Sequence, residues 1–268
     1  MSKHARARSR TPRRLALTAT VGLLTFTAGW VYSLQDDRAI TPQARTASDD
    51  RPPAQDRADR STQREAPAAP AAGPTELPGL SAATRARIPA DSRQVLLVAG
   101  TSKDSSEGTA TLYTRPDTGS PWTSAGSWPA RNGAKGWAAD RKYGDLSSPV
   151  GVYSLTDAGG LLPAPPGTKL PYDRDNSFVP SGRGVNGESL AGSFDYVVAI
   201  DFNRKRGTSP LDQTKPEGPA KGGNIWLHVD HDGPSQGCVG IPKEGMQKVL
   251  QTLDPAAKPV IVMGPAGF

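Results

Sequence analysis

The sequence predicts a mainly β fold with one C-terminal helix, preceded by an N-terminal segment that does not belong to the fold. Three observations lead to this prediction. Short apolar runs recur in the C-terminal part of the chain, separated by the Gly, Pro, Asp and Asn residues that favour turns. Only one stretch places apolar residues at helical spacing. Residues 35–90 contain no Phe, Trp or Tyr, so they offer little to bury in a core.

Residues 1–14 carry the whole net charge of the protein. They contain six basic residues and no acidic one, and the formal net charge of the chain is +6. The rest of the chain is therefore neutral. A neutral domain lacks the electrostatic footprint that binds a phosphate backbone, so we expect no nucleic-acid partner.

Residues 15–34 form an uncharged stretch directly after this basic block. As a helix they would span about 30 Å, the thickness of a bilayer's hydrocarbon core. The basic residues before them predict a single-pass anchor in the cytoplasmic membrane, with the N-terminus in the cytoplasm. A cleaved signal peptide is the alternative, because small residues occur at positions 27–29 and the pair Arg13–Arg14 resembles a twin-arginine signal. Both routes place the remaining chain outside the cytoplasm.

Residues 35–90 are predicted to be a disordered linker, because Ala, Pro, Asp and Arg dominate them and their charges interleave. The folded domain is then expected at residues 91–268. Its predicted strands are "RQVLLVAG" (93–100), "SPVGVYSL" (148–155), "FDYVVAIDF" (194–202), "NIWLHVD" (224–230) and "KPVIVMG" (258–264).

One helix is predicted in "PKEGMQKVLQTLD", residues 242–254, where Met246, Val249, Leu250 and Leu253 fall at helical spacing. Pro242 suits its first turn. Two long irregular loops remain at about 156–192 and 204–223, and loops of that length often cover functional sites.

Cys238 is the only cysteine of the chain, so no disulfide forms within it, although the domain is expected in an oxidising compartment. It lies in the Gly-, Pro- and Ser-rich turn "PSQGCVG", which favours an accessible thiol over an inert, buried one. Strand alternation directs His228 away from the face shared by Leu227 and Val229. A turn between them lets imidazole and thiol meet as a thiolate–imidazolium pair, the nucleophile of cysteine acyl-transfer enzymes.

The backbone N–H groups of Gln236, Gly237 and Cys238 are predicted to converge on an oxyanion, with Gly237 permitting the close approach. A metal site is the local competitor, since His228, His231 and Cys238 read as H-x2-H-x6-C, with Asp230 or Asp232 as a further ligand. Positions 228 and 231 of one strand point to opposite faces, so we expect no metal. We interpret His231 as an exposed loop histidine.

The segment "IWLHVDHDGPSQGCVGIP" resembles the signature of the L,D-transpeptidase catalytic-domain family, in which a histidine precedes a Ser/Thr-x-Gly-Cys turn. "KYGDLSSPVGVYSL" is similar to that family's strand entry, and "DYVVAIDFN" to the strand before its active-site loop. The similarity covers roughly residues 93–264. The matching positions of the strand entry are Gly144, Asp145, Ser148, Pro149 and Gly151.

The resemblance implies an L,D-transpeptidase-like β-sandwich with a packed C-terminal helix, acting on peptidoglycan stem peptides without a cofactor. It implies that Cys238 is the nucleophile and His228 the general base and then acid. Ser235 matches the Ser/Thr of the turn. The chain departs from the family at Gln236, where His is frequent, and at Val239 and Gly240, where Arg or Asn often follows the cysteine. The shorter His–Cys spacing indicates a divergent subgroup.

The sequence thus predicts a membrane-tethered extracytoplasmic L,D-transpeptidase that forms 3→3 cross-links in the cell wall. An L,D-carboxypeptidase acting on the same stems is one alternative, because nothing in the sequence chooses between an amine and water as acceptor. A wall-binding module with an inert Cys238, marked by an ordinary or raised thiol pKa, is the other. The cationic cluster Arg204, Lys205 and Arg206 is predicted to attract stem carboxylates.

Overall fold

The structure is a computed structural model that describes residues 75–268. The predicted basic terminus, the anchor at 15–34 and most of the predicted linker lie outside these residues. Within residues 75–268, no helix has the length and apolar character needed to cross a membrane. The predicted mainly β fold is confirmed: the described chain forms a curled sheet with one long helix.

Residues 75–268 form twelve strands and two α-helices, together with two short 3-10 helices. The strands are β1 (Gln94–Gly100), β2 (Glu107–Thr114), β3 (Thr123–Arg131), β4 (Trp137–Ala138), β5 (Ser148–Pro149), β6 (Gly151–Ser154), β7 (Ala158–Gly160), β8 (Tyr172–Arg174), β9 (Val197–Ala199), β10 (Trp226–Val229), β11 (Val239–Ile241) and β12 (Val260–Pro265). The helices are α1 (Ala82–Ala86) and α2 (Lys243–Thr252), and the 3-10 helices are Pro219–Lys221 and Pro255–Ala257. Ten strands pair in the order β6-β12-β1-β2-β3-β11-β10-β9-β7-β8, while β4 and β5 pair separately.

The main core lies between the sheet and α2. Met246, Val249 and Leu250 on one face of α2 are fully buried in it, as their helical spacing predicts. Strand β1 is buried on both faces, as its continuous apolar run predicts. Its Leu96 belongs to the main core, while its Leu97 packs in a second cluster on the other face of the sheet.

Packed structure begins before residue 91, the predicted start of the folded domain. Leu77 and Leu80 are buried in the second cluster, and α1 follows them. The Ser81 N–H donates to the Phe268 carbonyl oxygen at 2.9 Å, which ties this segment to the C-terminus. The composition of the whole 35–90 segment conceals the few apolar residues near its end that dock on the sheet.

Strands β2 and β3 are missing from the sequence prediction. Their small and hydroxyl side chains are largely exposed, so they lack the clear alternation of the other strands. They form because β2 pairs with the edge of β1, and β3 then pairs with the edge of β2. The two long loops are largely irregular as predicted, although they also contain β7, β8 and a 3-10 helix.

The site is positioned by the pairing of β10 with β11. These strands are parallel neighbours, with Leu227 opposite Val239 and His228 opposite Gly240. In this register Cys238, which precedes β11, lies beside Trp226. Residues two apart on a strand share a face, so the side chains of Cys238, Trp226 and His228 extend from the same side of the sheet. The short connection at 230–238 therefore brings the cysteine back beside the histidine's strand.

Candidate active site

Cys238 and His228 line one cavity of about 220 Å³. The β10–β11 side and residues 180–190, which we call the cap segment, supply its walls, so the first predicted long loop covers the site. The lining residues are Pro180, Ser181, Arg183, Gly184, Val185 and Leu190 from the cap segment, and Ser193, Phe194, His228, His231, Pro234, Ser235, Gln236 and Cys238 from the rest of the domain.

The thiol of Cys238 is half-buried and contacts the start of β10. The Trp226 N–H donates to Sγ at 3.4 Å, and the thiol donates to the Asn224 carbonyl oxygen at 3.7 Å. Burial raises the pKa of the Cys238 thiol above its ordinary value of 9.0, while the Trp226 N–H and the charge of Arg141 act to lower it. The free protein therefore holds Cys238 as a neutral thiol at neutral pH.

His228 is held as a neutral imidazole. His228 is only 2% exposed, and its Nδ1 lies 2.8 Å from the Val229 carbonyl oxygen. A carbonyl oxygen can only accept, so Nδ1 carries the proton and Nε2 keeps a free lone pair. Burial lowers the pKa of His228 from 6.5 to about 4, with the Val229 carbonyl opposing this effect and His231 adding to it.

The free nitrogen of His228 opens on the cavity. His228 Nε2 makes no hydrogen bond within residues 75–268. It is not fully buried either. The small exposed part of the ring therefore includes Nε2. An imidazole fixed at Nδ1 and open at Nε2 has the geometry of a general base.

The predicted thiolate–imidazolium pair is not formed in this structure. No hydrogen bond joins Sγ to the His228 ring within the described chain, because Sγ contacts Trp226 and Asn224 instead. The two residues are diagonal neighbours on one face, about 4.8 Å apart across the strands and about 6.6 Å apart along them. Rotation about the Cα–Cβ bond of Cys238 moves Sγ within the cavity, and catalytic hydrogen bonds are often long until substrate binds.

The turn at 235–238 is held by Ser235, whose buried hydroxyl accepts from the Gly237 N–H at 2.9 Å and donates to the Cys238 carbonyl oxygen at 2.7 Å. Of the three predicted oxyanion donors, Gly237 is thus already occupied, which corrects its assignment. The N–H groups of Gln236 and Cys238 make no hydrogen bond with any residue in 75–268. Gly237 has φ of +135°, a conformation that favours glycine.

Two buried residues that the sequence did not identify as functional fix the same turn from behind. The Arg141 guanidinium donates from Nη2 to the Gln236 carbonyl oxygen at 3.1 Å, and Ser148 Oγ donates to the Gly237 carbonyl oxygen at 2.8 Å. A trans peptide directs its N–H opposite its carbonyl, so the Cys238 N–H points away from Ser148. Ser148 lies in a family-like segment, but no pattern in the sequence marks Arg141.

His231 is not an exposed loop residue, contrary to the prediction. Its side chain is only 6% exposed, and its ring lies parallel to that of His228, with 5.5 Å between centroids and 2° between planes. The two rings share a side because β10 ends at Val229, after which strand alternation no longer applies. Its Nδ1 lies 3.1 Å from Glu188 Oε1 in the cap segment. Residues 75–268 contain no group of three side chains suited to hold a metal ion.

The predicted cationic cluster lies away from the cavity, which corrects that assignment. The Arg204 side chain is 5% exposed and pairs with Asp157 at 2.9 Å and Asp201 at 2.6 Å. Arg206 also faces Asp201, at 3.5 Å, and neither they nor Lys205 line the cavity. Two buried carboxylates require a compensating cation, so Arg204 is used inside the protein.

Arg183 is the arginine that lines the cavity, from the cap segment. It is exposed, and it forms no ion pair with another residue of the described chain. Its Nε donates to the Gly187 carbonyl oxygen, which leaves both terminal nitrogens of the guanidinium for a ligand. A free guanidinium of this kind binds a carboxylate through two parallel hydrogen bonds.

The chain matches no protein-family model, and no curated protein matches its sequence significantly. The function therefore rests on the geometry of the site and on the motif that carries Cys238.

Proposed function

We propose that the protein is an extracytoplasmic cysteine acyltransferase of the L,D-transpeptidase type, acting on the stem peptides of peptidoglycan. The observation that carries the proposal is that Cys238 and an imidazole free at Nε2 line one cavity. The signature around them resembles that family, and we assign the curled sheet with its helix to the family's β-sandwich. Residues 15–34 are proposed to tether the domain to the cytoplasmic membrane or, if cleaved, to release it.

In the proposed reaction, substrate binding turns the Cys238 thiol from Asn224 towards His228. Nε2 takes the thiol proton as sulfur attacks the carbonyl of the third residue of a tetrapeptide stem. The oxyanion faces the N–H groups of Cys238 and Gln236. The C–N bond to the terminal D-alanine then breaks, and His228 returns the proton to the leaving amine, so a thioester remains on Cys238.

This mechanism starts from a neutral pair rather than a preformed thiolate. In the free protein the raised pKa of Cys238 keeps the proton on sulfur, and the lowered pKa of His228 keeps Nε2 unprotonated. Proton transfer must then accompany the attack of sulfur on the carbonyl. Arg183 is proposed to hold the substrate by a free carboxylate, which fits stem peptides because they carry several.

The central experiment incubates the purified full-length chain with tetrapeptide muropeptides and separates the products. Cross-linked dimers indicate transfer to an amine, while tripeptide monomers alone indicate an L,D-carboxypeptidase. We expect Cys238→Ala to abolish both products and to leave the far-ultraviolet circular dichroism unchanged. Turnover by Cys238→Ala would show that another residue is the nucleophile.

A wall-binding module with an inert cysteine is the second candidate. It is favoured by the raised pKa of the thiol and by the contacts of Sγ with Trp226 and Asn224. Such a module would bind isolated cell wall without releasing any product. Mass spectrometry of the protein after incubation with muropeptides distinguishes the two, because only the enzyme acquires a peptide thioester on Cys238.

A further inference from the structure

A second imidazole opens on the same cavity as His228. His231 lines it, and its Nδ1 faces Glu188 Oε1 at 3.1 Å. Both of these atoms are buried, and neither makes an aligned hydrogen bond within the described chain, so the contact between them is one of proximity. The other ring nitrogen of His231, Nε2, also has no hydrogen-bond partner in residues 75–268, but it is not fully buried. It is the nitrogen that remains open to a ligand.

Glu188 is held against His231 by the shape of two glycines. A Cβ atom built on Gly233 would lie 2.0 Å from Glu188 Oε1, and one built on Gly184 would lie 2.0 Å from its Cδ. The carboxylate therefore occupies a slot that only glycines leave open. The Asn186 N–H also donates to Glu188 Oε2 at 2.9 Å. These contacts fix a carboxylate beside His231 Nδ1, where it restricts the orientation of the imidazole ring.

We propose that His231, oriented by Glu188, is the base that deprotonates the acceptor amine in the second half of the reaction. The inference rests on the proposed acyltransferase function and concerns the choice between an amine and water. His231 is then a catalytic residue for the acceptor, and Glu188 is its positioning residue. His228 serves the thiol, and Arg183 is the other basic side chain that lines the cavity.

The chemistry of the acceptor requires a second base. A primary amine arrives at neutral pH as an ammonium ion and must lose two protons to become an amide. His231 Nε2 takes the first, and the resulting imidazolium is stabilised by Glu188. The amine attacks the thioester, the C–S bond breaks, and the second proton passes through His228 to the departing thiolate. The first proton then leaves His231 for solvent, so the charges balance. Water has only one proton to lose in forming the acid, and His228 alone suffices for it.

The inference is tested by the partition of the acyl-enzyme between dimer and tripeptide. Full-length wild type, His231→Asn and Glu188→Gln are mixed with tetrapeptide muropeptides, and thioester formation is timed by mass spectrometry. We expect the ratio of dimer to tripeptide, both formed from the same thioester, to fall at least about a hundredfold, the lower end of the range for loss of a general base. A ratio that stays constant, or acylation that falls in parallel with transfer, would refute the role.

A glycine variant tests the pairing without changing a titratable group. Gly233→Ala places its methyl group on the carboxylate of Glu188, the flexible end of a side chain, and should displace it from His231 while the fold is kept. We expect the dimer to tripeptide ratio to fall in the same direction as in Glu188→Gln. Gly119→Ala is the matched control, because its Cβ meets only Asp117 Oδ1 at an ordinary 3.5 Å. Equal ratios in the two glycine variants would contradict the proposal.

The outcome separates this inference from the proposed function. Wild type that forms the thioester but gives only tripeptide would refute the acceptor base and leave a carboxypeptidase. Wild type that never forms a thioester on Cys238 would refute the acyltransferase and the inference with it.

Discussion

Acid should destabilise this domain through His228, because the fold holds that imidazole neutral. Its pKa is about 4 in the folded protein and 6.5 ordinarily, with burial as the main cause. Between these values the unfolded chain binds a proton that the native state excludes. Stability from this group is therefore complete above about pH 6.5 and is lost as the pH falls towards 4.

The magnitude follows from the difference between the two pKa values. One pKa unit corresponds to about 1.36 kcal/mol, so the complete loss is about 3 kcal/mol for this imidazole. Between pH 7 and pH 4.5 the same values give a loss of about 2 kcal/mol, because protonation of the native state is still incomplete at pH 4.5.

Urea denaturation of wild type and His228→Gln at the two pH values measures this loss. The carboxylates titrate alike in both proteins, so their contributions cancel when the two pH differences are subtracted. We expect the free energy of unfolding of wild type to fall by about 2 kcal/mol more than that of the variant. Equal pH dependence in the two proteins, or an NMR titration that places His228 near pH 6.5, would refute the argument from burial.

Two further predictions concern the turn that carries Cys238. Because burial raises the pKa of Cys238 above 9.0, its alkylation by iodoacetamide should accelerate about tenfold per pH unit from pH 7 to pH 9, and a plateau below pH 8 would indicate a preformed thiolate. Arg141→Met should cost about 3 kcal/mol in urea denaturation, because the buried Ser147 carbonyl and the partly buried Gln236 carbonyl lose charged donors, and it should also slow acylation. Arg93→Met, whose donors are exposed, should cost under about 1 kcal/mol.

The proposed site depends on an unusually short connection between two parallel strands. Parallel strands are ordinarily joined by a dozen or more residues and a helix. Here β10 and β11 are joined by residues 230–238 alone, with no helix between them. The short connection leaves little room for the chain to move away, so it returns Cys238 to the strand that carries His228. The same residues hold His231 over the His228 ring.

The elements that the sequence determined are those whose side chains repeat with a backbone period. The apolar runs of β1 and β12, the alternation that turns His228 away from Leu227, and the helical spacing of α2 all reappear in the structure. Each depends on residues a few positions apart, which share a face whatever the rest of the chain does. The weakly patterned β2 and β3 form only because neighbouring strands pair with them.

The surroundings of Cys238 were decided by the tertiary structure alone. Arg141 reaches the Gln236 carbonyl, Glu188 reaches His231, and Arg183 lines the cavity, all from irregular segments far along the chain. Arg204 was drawn inward by two buried carboxylates rather than left for substrate. Such contacts join residues that share no period, so only the path of the folded chain brings them together. A local pattern specifies which way a side chain points, but not which distant charge it will meet.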